Sequence, residues 1–137
     1  MAKFVLKDAE VIINGKDLSA RANSVTLDIT PDLPEANTMG TFFKVRLAGL
    51  SDWTLSVTFT QDFASGSVDA TLFPLVGADP FTVTVMANLT DGVGVTNPRY
   101  SGTAVMGTYQ PVQGTIGDTA FVNATFPSSG TLTRLTV

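Results

Sequence analysis

The 137-residue chain contains no cysteine and no histidine, and both absences narrow what it can do. Without cysteine there is no disulfide, thiolate nucleophile or cysteine zinc site, so the fold must rest on apolar burial and β-pairing. Without histidine the chain lacks the side chain whose unperturbed pKa lies near neutrality, and the commonest transition-metal ligand. A Ser or Thr nucleophile would have only lysine as its base, and no Ser-x-x-Lys arrangement occurs. We therefore predict that the chain is not an enzyme and has no catalytic residues, metal or cofactor.

Charged residues are also scarce, and they are not gathered into a patch. The chain has 8 basic and 12 acidic residues, with a formal net charge of -4 at pH 7. The basic residues are spread along the sequence, whereas binding to a phosphate backbone needs clustered cations. Two carboxylate pairs, Asp8 with Glu10 and Asp32 with Glu35, have the composition of a glycosidase site, but solvated surface charge is the favoured interpretation.

Long apolar runs are missing as well. No stretch approaches the roughly 20 apolar residues of a membrane span, and the first residues lack the apolar core of a signal peptide. We therefore expect a soluble chain that is made in a cytoplasm and has no membrane partner. The length of 137 residues suits one domain with a sizeable core, so residues 1–137 are predicted to form a single domain.

The pattern that is abundant is a strict alternation of apolar residues with Ser and Thr. In residues 54–62, Leu55, Val57 and Phe59 point to one side and hydroxyl side chains point to the other, as a half-buried strand requires. The same alternation predicts strands at 24–30, 82–88 and 119–126. Weaker strand signals, bounded by Gly, Pro, Asn or Asp, lie at 9–14, 42–48, 99–109 and 131–137.

Shorter signals complete the predicted fold. Asn14-Gly15 is typical of a tight type I′ hairpin turn, because both residues tolerate positive φ. One short helix is expected to begin after Ser67, which can cap it, to be interrupted at Pro74 and to end at Gly77. With eight strands, these signals predict a mostly β, antiparallel fold that is two-layered or barrel-like, with the helix against an open end or face.

Two further features could carry function. Residues 31–40 include two prolines, two acidic residues and small polar residues, and are predicted to form a long connection that projects from the sheets. The second feature is the hydroxyl-lined strand face. Such a face is wettable and lacks cations that would hold phosphate, so it would suit a low-friction wall for a polyanion. A solvated outer sheet face explains the pattern equally well.

The aromatic residues allow two interpretations. Trp53, Phe42, Phe43, Tyr100 and Tyr109 could form a carbohydrate-binding platform of the kind that β-sandwich modules use. Large aromatic residues in a small β domain more often belong to a core or a subunit interface, which is the interpretation favoured here.

Several ordered segments also resemble a known family. They are IINGKDLSARANSVTLDIT at 12–30, RLAGLSDWTLSVTFTQDFASGSVDATLFPLVG at 46–77 and TNPRYSGTAVMGTYQPVQGTIGDTAFVNATFPSSG at 96–130. Together they cover most of the chain and include a strand, an Asp-Phe pair, small residues, a short helix and Pro-Leu at 59–75. In this order they resemble the small major tail proteins, or tail tube subunits, of long non-contractile-tailed bacteriophages of the siphophage type, notably those of actinobacteria.

The resemblance implies a phage tail-tube fold, in which two antiparallel sheets form a barrel-like sandwich with one short flanking helix. It implies homo-oligomers, as hexameric rings stacked into a hollow tail tube, with transient and sequence-independent passage of DNA. Other tail proteins, such as the tape measure and the tail terminator, would be partners, and the protein would be found in the virion. A β-sandwich carbohydrate-binding virion module and a tail terminator or head–tail joining protein of the same fold are the alternatives.

The resemblance also suggests roles for particular residues. A long loop between early strands commonly reaches the next ring in this family. The predicted inter-ring contact loop consists of Pro31, Asp32, Leu33, Pro34, Glu35, Ala36, Asn37, Thr38 and Met39. The candidate lumen-facing strand residues are Thr26, Asp28, Ser56, Thr58 and Thr60.

Overall fold

The structure is a computed structural model that describes residues 5–40, 42–90 and 92–137; residues 1–4, 41 and 91 of the predicted domain lie outside this description. Strands are the main regular structure of the described chain, and none of its helices is long and apolar enough to cross a membrane. Its elements are β1 (Glu10–Ile13), β2 (Lys16–Asp17), a 3-10 turn (Ser19–Arg21), β3 (Ala22–Pro31), β4 (Ser51–Thr60), α1 (Val68–Leu72), a second 3-10 turn (Phe73–Leu75), β5 (Phe81–Met86), β6 (Arg99–Ala104), β7 (Thr108–Gln110) and β8 (Phe121–Leu135).

These strands form one curled antiparallel sheet in the order β2-β1-β5-β6-β8-β4-β3, with β7 on β8. The long strand β8 joins two portions of the sheet. Its first half pairs with β4, from Phe121 opposite Thr60 onward, and its second half pairs with β6, as far as Leu135 opposite Arg99. The predicted pair of antiparallel sheets with a short helix is therefore confirmed, as a half-barrel whose two sheet portions share β8.

Local signals placed most strand boundaries. All four regions of strict alternation are strands, and Asn14 and Gly15 have φ of 51° and 80° in the tight turn between β1 and β2. Three weaker predictions need correction. Residues 42–48 are not a strand, 99–109 is divided into β6 and β7, and 131–137 is the continuation of β8 rather than a separate strand. Each of these differences depends on which neighbour the chain meets, which periodicity alone does not encode.

The core lies inside the curl. The inward positions of β4 and of the first half of β8 are almost completely buried, and the rings of Phe81 and Phe126 meet edge to face with centroids 5.8 Å apart. Trp53 is 4% exposed, and its indole Nε1 donates to the Gly130 carbonyl at 2.9 Å. A Cβ on Gly102 would lie 2.6 Å from the Trp53 ring, so only glycine allows β6 to approach this side chain.

The helix packs on the core through Val68 and Leu72. Ser67 is at the predicted N-cap position, but its side chain makes no capping hydrogen bond to the helix backbone. The α-helical geometry stops before Pro74, which lies in the following 3-10 turn, and Gly77 has a φ of 73°, as expected for the end of this segment.

A side-chain hydrogen bond also attaches the helix to the sheet. The Tyr109 hydroxyl, on β7, donates to Asp69 Oδ1 at 2.6 Å. Burial of the phenol, followed by this hydrogen bond and the negative charge of Asp69, raises the pKa of Tyr109 to about 12. The neutral phenol is therefore the form that stabilises the folded state.

Tyr109→Phe should reduce the free energy of unfolding by about 1 kcal/mol near neutral pH, because one hydrogen bond is lost. The contribution of Tyr109 should be complete below pH 10, its unfolded pKa, and should disappear as pH rises toward about 12. The stability difference between wild type and variant, measured by urea unfolding at pH 8 and pH 11, should therefore shrink. A difference that is unchanged between these pH values would contradict the assignment.

A buried ion pair holds β1 and β6 together across β5. Glu10, Met86 and Arg99 are neighbours in register, and the Glu10 side chain is 6% exposed. Arg99 Nη2 donates to Glu10 Oε2 at 3.1 Å, and Nε lies 2.9 Å from Oε1 without the alignment of a hydrogen bond. The interpretation of Asp8 and Glu10 as solvated surface charge is thus wrong for Glu10, because an Arg 89 residues later in the sequence covers it.

Candidate functional site

A hairpin extension of β3 and β4, residues 31–50, projects from the end of the sheet and is here called the arm. Its two legs continue the pairing of the strands: the Asp32 N–H donates to the Leu50 carbonyl at 2.7 Å, and the Ala36 N–H donates to the Val45 carbonyl at 2.7 Å. Every described residue of the arm is exposed. The arm is therefore an ordered hairpin that does not contribute to the core of its own chain.

Polar contacts brace the arm near its tip. The Asn37 amide donates to Glu35 Oε2 at 3.0 Å, while its carbonyl oxygen accepts the Val45 N–H at 2.7 Å. Lys44 and Arg46 lie 3.6 and 3.9 Å from Glu35 Oε1. These contacts are exposed and each contributes little. Together they connect the two legs and define the direction in which the tip points.

The tip of the arm is strongly apolar. Met39, Phe42 and Phe43 are 102%, 97% and 85% exposed. Neighbouring apolar residues that are this exposed are a feature of interaction surfaces, because binding to a partner removes their apolar area from water. The arm thus presents its most hydrophobic residues at the point farthest from the sheet.

The structure places the whole predicted contact loop, from Pro31 to Met39, on the end of β3 and the first leg of the arm. The second leg, residues 42–50, was missed because it was interpreted as a strand of the sheet. The adjacent pair Phe42 and Phe43 was the available signal, since consecutive large apolar residues cannot both face one core from a strand.

The candidate lumen-facing residues lie together on the outer side of β3 and β4. Thr26 is opposite Ser56 in the register of these strands, and the hydroxyl of Thr58 donates to Asn123 Oδ1 at 2.9 Å. The same face continues across β8 and β7. Its polar members, here called the polar face, are Ser24, Thr26, Asp28, Thr30, Asp52, Thr54, Ser56, Thr58, Thr60, Asn123, Thr125, Thr108 and Gln110. The set contains two carboxylates and no basic residue.

An apolar groove opens on the other side of β3. Val25 and Leu27 are only half-buried, and Ile29 is 54% exposed although it faces inward beside Trp53. A cavity of about 400 Å³ lies between β3 and the β5–β6 portion, and an adjoining cavity of about 640 Å³ lies between the end of β3 and the second half of β8. Both cavities include Ile29 and Tyr100. The groove exists because the sheet curls toward closure without joining β3 to β1.

The polar cluster around Asp62 has a structural role. The hydrogen bond from the Ala64 N–H, then the Ser67 hydroxyl and Arg21, lower the pKa of Asp62 and fix the turn before the helix. Residues 5–40, 42–90 and 92–137 contain no group of three acidic residues that could hold a metal ion. Trp53 is buried in the core, so it cannot stack against a sugar.

Comparison with solved structures gives the fold a context. The tail of an empty GTA particle, determined by helical refinement with C6 symmetry, contains a chain that matches 98% of this chain over 100% of its own length, with a TM-score of 0.76 and 12% identity. Two structures of the PVC extracellular contractile injection system in the extended state are also similar. The match to a chain of the sheath/tube terminator structure covers 98% of this chain and 97% of the matched chain, with a TM-score of 0.70 and 15% identity. The match to a chain of the sheath-tube complex covers 99% of this chain and 93% of the matched chain, with a TM-score of 0.69 and 15% identity.

Comparison of the amino-acid sequence with known families and proteins gives no match. No protein-family model matches the chain, and no curated protein sequence matches it. At 12–15% identity, the structural similarities show that the chain shares its fold with chains of assembled tails and injection particles. The fold predicted from the sequence is thereby confirmed along nearly the whole chain.

Proposed function

We propose that this chain is a structural virion protein, the tube subunit of a long non-contractile phage tail, and that it forms hexameric rings which stack into a hollow tube. The observation that carries the proposal is the exposed arm with its apolar tip, on a fold shared with the tail of a C6-symmetric particle. A chain with an exposed apolar extension at one end of its sheet is suited to head-to-tail contacts. Such heterologous contacts do not close along an axis and therefore give filaments.

The polar face supports the second part of the proposal, which is that DNA passes through the tube. A wall of Ser, Thr, Asn and Gln, whose charged members are the carboxylates Asp28 and Asp52, offers no cation to hold phosphate. The formal net charge of -4 acts in the same direction, because a tube of such subunits repels DNA rather than retaining it. We place the side chains of the candidate residues Thr26, Asp28, Ser56, Thr58 and Thr60 on the wall of the lumen. The proposed function needs no catalytic residue and no cofactor.

The direct test is electron microscopy of the purified chain over a range of concentrations, and of virions that contain it. Hollow tubes built of stacked six-membered rings are the expected result. A chain that remains monomeric at all concentrations and is absent from tails would refute the proposal. In the virion, the tape measure and the terminator are the partners that we expect at the lumen and at the end of the tube.

The lumen assignment can be tested by thiol labelling, because the chain has no native cysteine. Thr26→Cys lies on the polar face, and Thr82→Cys, on β5, is a matched control from another exposed strand position. In tubes, we expect Thr26→Cys to react much more slowly with a polymer-coupled maleimide than Thr82→Cys, while both react rapidly with N-ethylmaleimide. In unassembled chains the two variants should react alike.

Two labelling results would contradict this assignment. If Thr26→Cys in tubes reacts with the polymer reagent as fast as in free chains, the polar face is on the outside. If it resists N-ethylmaleimide as well, the face is a dry subunit interface rather than a lumen.

A tail terminator or head–tail joining protein is the second candidate, supported by the similarity to the sheath/tube terminator structure. The two functions differ in polymerisation and copy number. A tube subunit grows into long tubes and is abundant in the virion, whereas a terminator stops at a single ring. The carbohydrate-binding alternative depended on Trp53, and the burial of that ring removes its main support.

A further inference from the structure

We infer that the groove beside β3 is the receptor for the arm tip of a second copy of this chain, with Phe42 and Phe43 inserted between β3 and β6. This inference rests on the proposed function and specifies the contact that would join successive copies. It connects two surfaces of the same chain, the tip and the groove, that residues 5–40, 42–90 and 92–137 leave open.

Shape is the first argument. The groove has cavities of about 400 and 640 Å³, joined at Ile29 and Tyr100, and its first cavity is lined by apolar residues and Tyr100. An aromatic ring that enters there would meet the inner side of β3, where Leu27 is only half-buried. The ring would complete the open side of the core rather than form a new surface.

Charge is the second argument. Arg134 lines the second cavity and, within the described residues, forms no ion pair or hydrogen bond with another side chain. A guanidinium at the rim of an apolar groove attracts the face of an aromatic ring through a cation–π contact. The tip supplies two such rings in adjacent positions, Phe42 and Phe43. The groove and the tip are therefore complementary in both hydrophobicity and charge distribution.

Length is the third argument, and it favours a second copy in the same orientation. The first leg of the arm, residues 31–40, has ten residues, and β3 also has ten. At about 3.3 Å per residue β3 spans about 30 Å. The first leg is not a regular strand, and a fully extended chain of its length reaches at most about 35 Å. A copy that is displaced along the strand direction by about one strand length therefore has its β3 and groove beside the arm tip of the first.

The area of the contact indicates how it would be used. Two buried phenylalanines remove roughly 300 to 400 Å² from one partner, whereas a stable pair of proteins needs about 800 Å² per partner. One tip in one groove is thus too small to hold an isolated dimer. In a stack of rings each copy donates its tip to one neighbouring ring and accepts a tip from the other. The contact is therefore repeated around every ring, and the repeats together provide the missing stability.

Cysteine cross-linking tests the contact directly. Met39→Cys places a thiol at the tip without changing either phenylalanine, and Thr131→Cys places one at the rim of the groove. A mixture of these two variants, treated with a short bis-maleimide, should give linked dimers that contain one copy of each. The control mixture pairs Met39→Cys with Val95→Cys, an exposed position in the loop between β5 and β6. Equal yields from both mixtures would overturn the inference.

Removal of the rings provides the second measurement. The Met39→Cys variant can also carry Phe42→Ala and Phe43→Ala. The protein concentration needed for its cross-linking to Thr131→Cys should then rise by at least about 100-fold. Val112→Ala with Ile116→Ala is a matched control, because these residues are also exposed and apolar but lie in the loop between β7 and β8. Circular dichroism should be unchanged in both. A cross-link that survives loss of the rings would overturn the inference.

The same samples separate failure of this contact from failure of the proposed function. Tubes that form normally but show no preference for the Met39–Thr131 pair mean that the tip docks elsewhere, while the tube function stands. Chains that cross-link through this pair but never form rings or tubes retain the contact and refute the function.

Discussion

Replacing residues 33–49 with Asn-Gly should abolish tube formation and leave the fold of the subunit intact. The two new residues would join Asp32 to Leu50, which are already paired at the base of the arm, through a turn that suits a two-residue hairpin. Because all described residues removed are exposed, the free energy of unfolding should change by no more than about 0.5 kcal/mol.

The effect on assembly should be large. Loss of two buried phenylalanines removes about 1.5 to 3 kcal/mol each from every contact between copies, so the critical concentration should rise by at least about 100-fold. Sedimentation and electron microscopy over a series of protein concentrations measure this critical concentration. A variant with Phe42→Leu and Phe43→Leu is the control, since it keeps an apolar arm and should assemble at an intermediate concentration. Tubes from the truncated chain at the wild-type concentration would exclude the arm as the joining element.

Arg99→Met should be the most destabilising single change that leaves the apolar core untouched. It would leave the Glu10 carboxylate, whose side chain is 6% exposed, buried without its partner. Removing one member of a buried ion pair costs 3 to 5 kcal/mol, and we expect about 3 kcal/mol here because the Arg99 side chain is itself 32% exposed. Urea unfolding of the unassembled chain measures this loss.

The double variant Glu10→Met with Arg99→Met isolates the cause. If the cost comes from an uncompensated carboxylate, the double variant should recover most of the stability, because an apolar pair of similar volume is often neutral or better. A double variant as unstable as the sum of the two single variants would show that the side chains act independently. That result would contradict the predicted energetic coupling between Glu10 and Arg99.

The strands were the part of the fold that the sequence encoded most directly. Alternation with period two assigned the inward residues Leu55, Val57 and Phe59, and the structure buries all three. Asn14-Gly15 similarly identified its turn, because positive φ is a local property of those residue types. These predictions succeeded because a few consecutive residues are enough to determine the preferred backbone conformation and the side of a strand that is buried.

The errors share one physical cause, which is dependence on partners distant in sequence. The sequence around Glu10 predicts a solvated carboxylate because it does not reveal Arg99. Residues 42–48 predict a strand because Gly40 and Gly49 bound the segment. In the structure that segment is one leg of the arm, with its apolar tip exposed. No local pattern distinguishes an apolar residue that will be buried in its own core from one that stays exposed in the free chain.

For this protein, the sequence alone determined the absence of histidine and cysteine chemistry, the β class and the hydroxyl-rich side of β3 and β4. It determined these because each depends on residue type or on spacing by two. Only the tertiary structure decided that β8 joins both sheet portions, that Trp53 is buried against Gly102 and that Ile29 borders an open groove. These features arise where distant strands meet, so they exist only after the sheet has curled and chosen its pairings.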